Sequence, residues 1–126
     1  MATDAHGWVE VYDPDDRCWD AVVVATQFME RDYALFDTWF AGRSTAATTA
    51  FAARGLPDDI SPHVAAEVKE WGSVERPTWV RWDECQFQPL LDVAALPGWN
   101  VLFALMATLS DAYQPQPVRL VIWFDQ

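Results

Sequence analysis

Residues 8–25 read WVEVYDPDDRCWDAVVVA. Trp8 to Tyr12 are mostly aromatic and β-branched, side chains that suit a pleated surface, and predict a strand. Asp13-Pro14-Asp15-Asp16 follows, with Asp at the first and Pro at the second position of a type I turn. Arg17 to Ala25 then predicts a second strand, and the two together an antiparallel hairpin. Ala21 to Ala25 has no polar alternation, so the second strand is expected to be buried on both faces.

The other end of the chain carries the matching element. Val118 to Phe124 reads VRLVIWF. Val118, Leu120, Ile122 and Phe124 share one face of a strand, and Arg119, Val121 and Trp123 the other. Both faces are apolar enough to predict a central or covered strand. A further strand is expected at Thr78 to Trp82 (TWVRW), after Pro77 ends the loop before it.

Helices fill the interval. Asp32 is a cap for a helix from Tyr33, with Tyr33, Phe36 and Phe40 at helical spacing and Gly42 as its stop. Arg43 to Ile60 has weak periodicity and reads as a long, partly structured excursion, a type of segment that is often functional. Ser61-Pro62 starts a helix that runs to about Trp71 and stops at Gly72. Asp83 reads as the cap of a short helix reaching Pro89. Pro97-Gly98 opens the clearest helix, with Trp99, Leu102, Phe103, Met106 and Leu109 along one stripe. The order ββ-α-(loop)-α-β-α-α-β predicts one α+β domain over residues 1–126. It is expected to hold a mainly antiparallel four-stranded sheet packed with three to four helices.

Composition narrows the function. A chain of 126 residues with 52% hydrophobic content can bury a core without staples. Nineteen Asp and Glu against eight Lys and Arg give a formal charge of -11, the wrong sign for direct nucleic-acid or anionic-membrane binding. The start MATDAHGWVE lacks the basic and apolar regions of a secretory signal, and no apolar run is long enough to span a bilayer, so a soluble, cytoplasmic protein is expected. Cys18 and Cys85 have no zinc-type spacing, and both are expected to be buried, inert thiols. No metal site and no cofactor is expected.

Catalytic signals are weak. Asp83 and Glu84 are neighbours, which do not face each other on a helix, and Ser61 has no evident base. The five glycines are scattered, so there is no phosphate loop. No catalytic residue is assigned, and a binding role is expected in place of an enzyme. Two patterns suggest where binding would occur. Arg31, Arg43 and Arg54, three of the eight basic residues, fall in one 24-residue window. If the excursion folds back, they would converge on a phosphate or carboxylate, with Tyr33 for stacking and His63 at a helix N-terminus. The alternative is that each arginine pairs with a nearby acid such as Glu30, Asp32, Asp37 or Asp58. The second pattern is the acidic hairpin, where Asp13, Asp15 and Asp16, with Glu10 and Asp20, would capture a basic protein. Its alternative is a solvated turn, where Asp is favoured in any case. The eight tryptophans and the apolar terminal strand also suggest self-association into a homo-oligomer.

Several stretches resemble a known group. They are the HGWVEV start at His6 to Val11, Tyr33-Ala34-Leu35-Phe36, Arg43, Arg54-Gly55-Leu56-Pro57 with Asp59 and Ser61-Pro62, Thr78 to Glu84 (TWVRWDE), and Val118 to Asp125 (VRLVIWFD). Together they resemble an uncharacterised family of small phage, prophage and actinobacterial proteins with the pattern YxLF…RGLPxDxS…TWxxWxE…VRLVxWFD. The resemblance implies a mobile-element accessory protein, of a kind that often counters host defences. Two functions are then expected. One is a non-enzymatic inhibitor that sequesters an anionic, nucleotide-like signal through Arg31, Arg43, Arg54, Tyr33 and His63. The other is an acidic protein–protein inhibitor that blocks a basic nuclease, toxin or restriction enzyme of the host.

Overall fold

The computed structural model describes residues 4–36, 40, 54–85 and 96–125. Strands β1 (Ala5–Asp13) and β2 (Cys18–Val24) form the expected hairpin. Asp13 Oδ1 accepts from the amides of Asp15 (2.9 Å) and Asp16, so the turn is built by an acidic side chain folding onto its own backbone. After a short 3-10 turn at Thr26–Phe28 comes α1 (Tyr33–Leu35), capped as expected by Asp32, whose carboxylate accepts from Leu35 N at 2.8 Å. Apart from Phe40, the expected continuation of that helix toward Gly42 lies outside the described residues.

Helix α2 (Pro62–Trp71) begins where Ser61 Oγ accepts from Val64 N, with Pro62 at its first position, and ends at Gly72 with φ +80°. Strand β3 (Glu75–Arg81) leads directly into α3 (Trp82–Cys85), and α4 (Pro97–Ala112) precedes β4 (Val118–Phe124). Trp99, Leu102, Phe103 and Met106 are the buried stripe of α4.

The four strands form one antiparallel sheet in the order β2-β1-β4-β3. Sequence-distant β1 and β4 are the central pair, with Ala5 opposite Phe124 and Val11 opposite Val118. Every residue of β4 is buried, as its two apolar faces require. Val118, Leu120, Ile122 and Phe124 enter the larger core with α1, α3 and α4. Val121 and Trp123 enter a smaller one with Val64 of α2 and Leu56 and Ile60 of the preceding segment. The sheet is thus covered on both faces by its own chain, and the apolar character of β4 needs no second subunit to satisfy it. No helix among the described residues is long and apolar enough to cross a membrane.

Several expectations are corrected. Strand β2 is not buried on both faces. It is an edge strand, and Val22 is 42% exposed, because the ladder places Val23 opposite Val9 and Ala21 opposite Glu10 and leaves Val22 as a bulge. Pro77 does not end a loop. It lies within β3, an edge strand whose register shifts between Glu75 and Thr78, where a residue without an N–H is tolerated. Trp82 opens α3 in place of ending a strand, and Asp83 sits in the helix's first turn in place of capping it. The helix's expected run to Pro89 lies outside the described residues. Cys85 is buried, but Cys18 is only half-buried, since it stands on the edge strand at the hairpin turn.

Candidate functional site

Glu10 of β1 and Arg119 of β4 are charged residues set among apolar neighbours in the two central strands. The register sets them directly opposite each other. Both are buried, and Arg119 Nε donates to Glu10 Oε1 at 2.6 Å. The remaining hydrogen-bonding groups reach the segment before α2. Arg119 Nη1 donates to Asp59 Oδ1 (2.9 Å), and Glu10 Oε2 accepts from Ser61 N (2.9 Å). The Arg119 guanidinium also lies 3.8 Å from the Trp19 ring centroid, while Trp19 Nε1 donates to Asp59 Oδ2 (2.8 Å). Partial desolvation pushes the Asp59 carboxyl up, but hydrogen bonds from Arg119 and Trp19 outweigh it and hold it below the usual carboxylate range. This network pins residues 59–61 to the sheet and fixes where α2 begins.

Beside it lies an open cleft of about 560 Å³, within the size range of small-molecule sites. Its walls include Trp19, Arg54, Asp58, Asp59, Trp79 and Arg119. Arg54 forms a two-pronged bond to Glu84, with Nη1 to Oε1 at 2.8 Å and Nη2 to Oε2 at 2.6 Å. Its guanidinium lies 4.6 Å from the Trp79 ring centroid. Arg54 donates strongly enough to hold the Glu84 carboxyl below its ordinary value, although partial burial pulls the other way. The cleft therefore presents two arginine–indole stacks, each guanidinium already matched by a carboxylate of this chain.

The other candidate arginines sit elsewhere. Arg31 pairs with Asp4 at 2.8 Å, near Asp125 at the end of β4. Arg43 lies outside the described residues. Tyr33 packs edge-on to Phe36 against the larger core, with ring centroids 6.1 Å apart. His63 is exposed on the first turn of α2, its ring edge-on to Trp8 at 4.6 Å. Arg31 and Arg54 thus bind carboxylates on different parts of the fold, with Tyr33 near Arg31 and His63 on α2 beside Trp8. The acids that pair the arginines, Asp4 and Glu84, are not the sequence neighbours that first suggest themselves.

The acidic hairpin residues do group together. Asp15, Asp16 and Asp20 are exposed and Asp13 is half-buried at the same turn, and no described cation forms an ion pair with any of them. Their field reaches Cys18, whose thiol is pushed up first by partial burial and then by Asp20, Asp16 and Asp13. Burial first, and then the Glu84 and Asp83 carboxylates, push the Cys85 thiol up to about 12 against the opposing charge of Arg54. No cluster of three or more His, Cys, Asp or Glu suited to a metal ion forms among the described residues.

Comparison with family models, with curated proteins and with solved structures gives no match for this chain.

Proposed function

We propose that this protein acts by binding, as an acidic accessory protein of a mobile element that captures a basic host protein such as a nuclease, toxin or restriction enzyme. One observation carries the reading. Arg31, Arg54, Arg81 and Arg119 are each matched by a carboxylate of the same chain, whereas Asp15, Asp16 and Asp20 stand exposed around the Asp13 turn without an ion pair to any described cation. With four carboxylates against the single exposed Arg17, the turn carries a negative excess at one end of the sheet. Charge of that kind speeds encounter with a basic surface and disfavours acidic partners. Such a target would be met in the cytoplasm.

A second reading is favoured by the Arg54 cleft. An anionic, nucleotide-like ligand would stack on Trp79 and take over the Arg54 fork from Glu84. It would have to do so beside Asp58 and Asp59, which is why this reading comes second.

Native mass spectrometry of the protein isolated from cells that produce it separates the two. The first reading expects a bound mass of many kilodaltons that survives Arg54→Ala and is lost on charge reversal at Asp13, Asp15 and Asp16. A bound mass of a few hundred daltons, lost in Arg54→Ala, would overturn it in favour of the second. The same spectra count the subunits and so test self-association.

A further inference from the structure

Two of the four large exposed apolar side chains among the described residues, Val22 and Tyr113, line one cleft of about 270 Å³ between the hairpin and the end of α4. Val22 is there because the bulge turns it out of the ladder, and bulges commonly re-aim a side chain at a functional surface. Tyr113 is the C-cap of α4 and is 51% exposed. Asp13 and Asp20 stand on the rim of the same cleft.

The α4 terminus adds a separate argument. A helix C-terminus carries partial negative charge and is stabilised by Lys, Arg or His in its last turn. Helix α4 has no basic residue there, and its last turn holds Asp111, a charge of the unfavourable sign. The negative helix end at Tyr113 and the carboxylates of Asp13 and Asp20 thus meet at an apolar cleft, and no basic residue is among those that line it.

We propose that this cleft seats an arginine or lysine side chain of the basic partner, an inference that rests on the acidic-capture reading above. The aliphatic stem lies along Val22. The charged head reaches Asp13 and Asp20 and lies over the Tyr113 ring, which attracts cations through its face. A second copy docked through the same face is a poor occupant, because it would bring the same Asp13, Asp15 and Asp16 turn against carboxylates of its own sign.

Nona-arginine is a suitable probe, titrated into the full chain and followed by amide NMR shifts and calorimetry. The proposal expects the largest shifts at Val22, Tyr113, Asp13 and Asp20. Val22→Thr and Tyr113→Ala, both at exposed positions, should each weaken binding at least tenfold with the salt dependence unchanged. Asp15→Asn and Asp16→Asn should mainly flatten the salt dependence. Cleft variants that bind within twofold of the parent, while the Asp variants weaken, would overturn the cleft and leave the acidic-capture reading standing. Absence of binding at low salt would overturn both. Concentration-dependent doubling of the protein's own mass, lost in Tyr113→Ala, would also overturn the proposal, because the occupant would then be a second copy.

Discussion

Glu10 and Arg119 are a case in which removing one partner costs more than removing both. Arg119 is 3% exposed and Glu10 fully buried. Arg119→Ala would leave the Glu10 carboxylate in an apolar layer with only the Ser61 amide, and would take the guanidinium off Trp19. Losses of about 3–5 kcal/mol are expected for an orphaned buried charge. The double variant Glu10→Leu with Arg119→Met should recover much of that loss in urea unfolding; a double variant no more stable than the single would show that the pair is not the source. Glu84 makes a prediction about acid. Its folded-state carboxyl lies below the ordinary value of 4.5 because of Arg54, so the folded state is favoured while Glu84 is ionised. That contribution is present above the ordinary value and is lost as the pH falls through the folded value. Glu84→Gln should flatten the acid limb of a plot of melting temperature against pH. An unchanged acid limb would mean that the fork contributes nothing to stability.

At the scale of elements, the β1–β4 pairing depends on a position without a side chain in β1. A Cβ on Gly7 would run into the backbone carbonyl of Val121 on the neighbouring strand. Backbone cannot yield as a flexible side chain can, so Gly7→Ala should cost about 1–3 kcal/mol as an overpacking defect, read in chemical denaturation. A neutral result would show that the central pair separates easily. The two edge strands differ in how they end pairing. Strand β3 carries Pro77 and a left-handed Arg76 with φ +48°, and β2 carries the Val22 bulge and the exposed Asp20. Each device hinders a further strand from joining the sheet. The bulge also explains why Val22 is exposed in a run as apolar as Ala21 to Ala25. Periodicity alone cannot tell a buried strand from an edge strand twisted out of its ladder.

For the whole molecule, a charge of -11 on 126 residues works against compaction. The described ion pairs offset part of it locally, and the hairpin concentrates part of the remainder. Raising salt from about 10 mM, where charges are felt over roughly 30 Å, to about 150 mM, where the range is near 8 Å, should therefore raise the melting temperature. A fall over that range would mean that the internal pairs, not the surplus acid, dominate the electrostatics.

The α+β class, the hairpin, the Asp32 and Ser61 caps, the buried stripe of α4 and the covered state of β4 were legible from the sequence alone, because turns, caps and side-chain periodicity are set by residues at most a few positions apart. The site was decided only by tertiary structure. Glu10 and Arg119 are 109 positions apart, and Arg54 and Glu84 are 30 apart, so no local pattern joins them. One signal was present, an opposite charge flanked by apolar residues within each of two strands, but it became a pair only when antiparallel register set Glu10 and Arg119 opposite each other. The same holds for the cleft at Val22 and Tyr113. A bulge and a helix end have to meet in space before an acidic turn acquires an apolar seat.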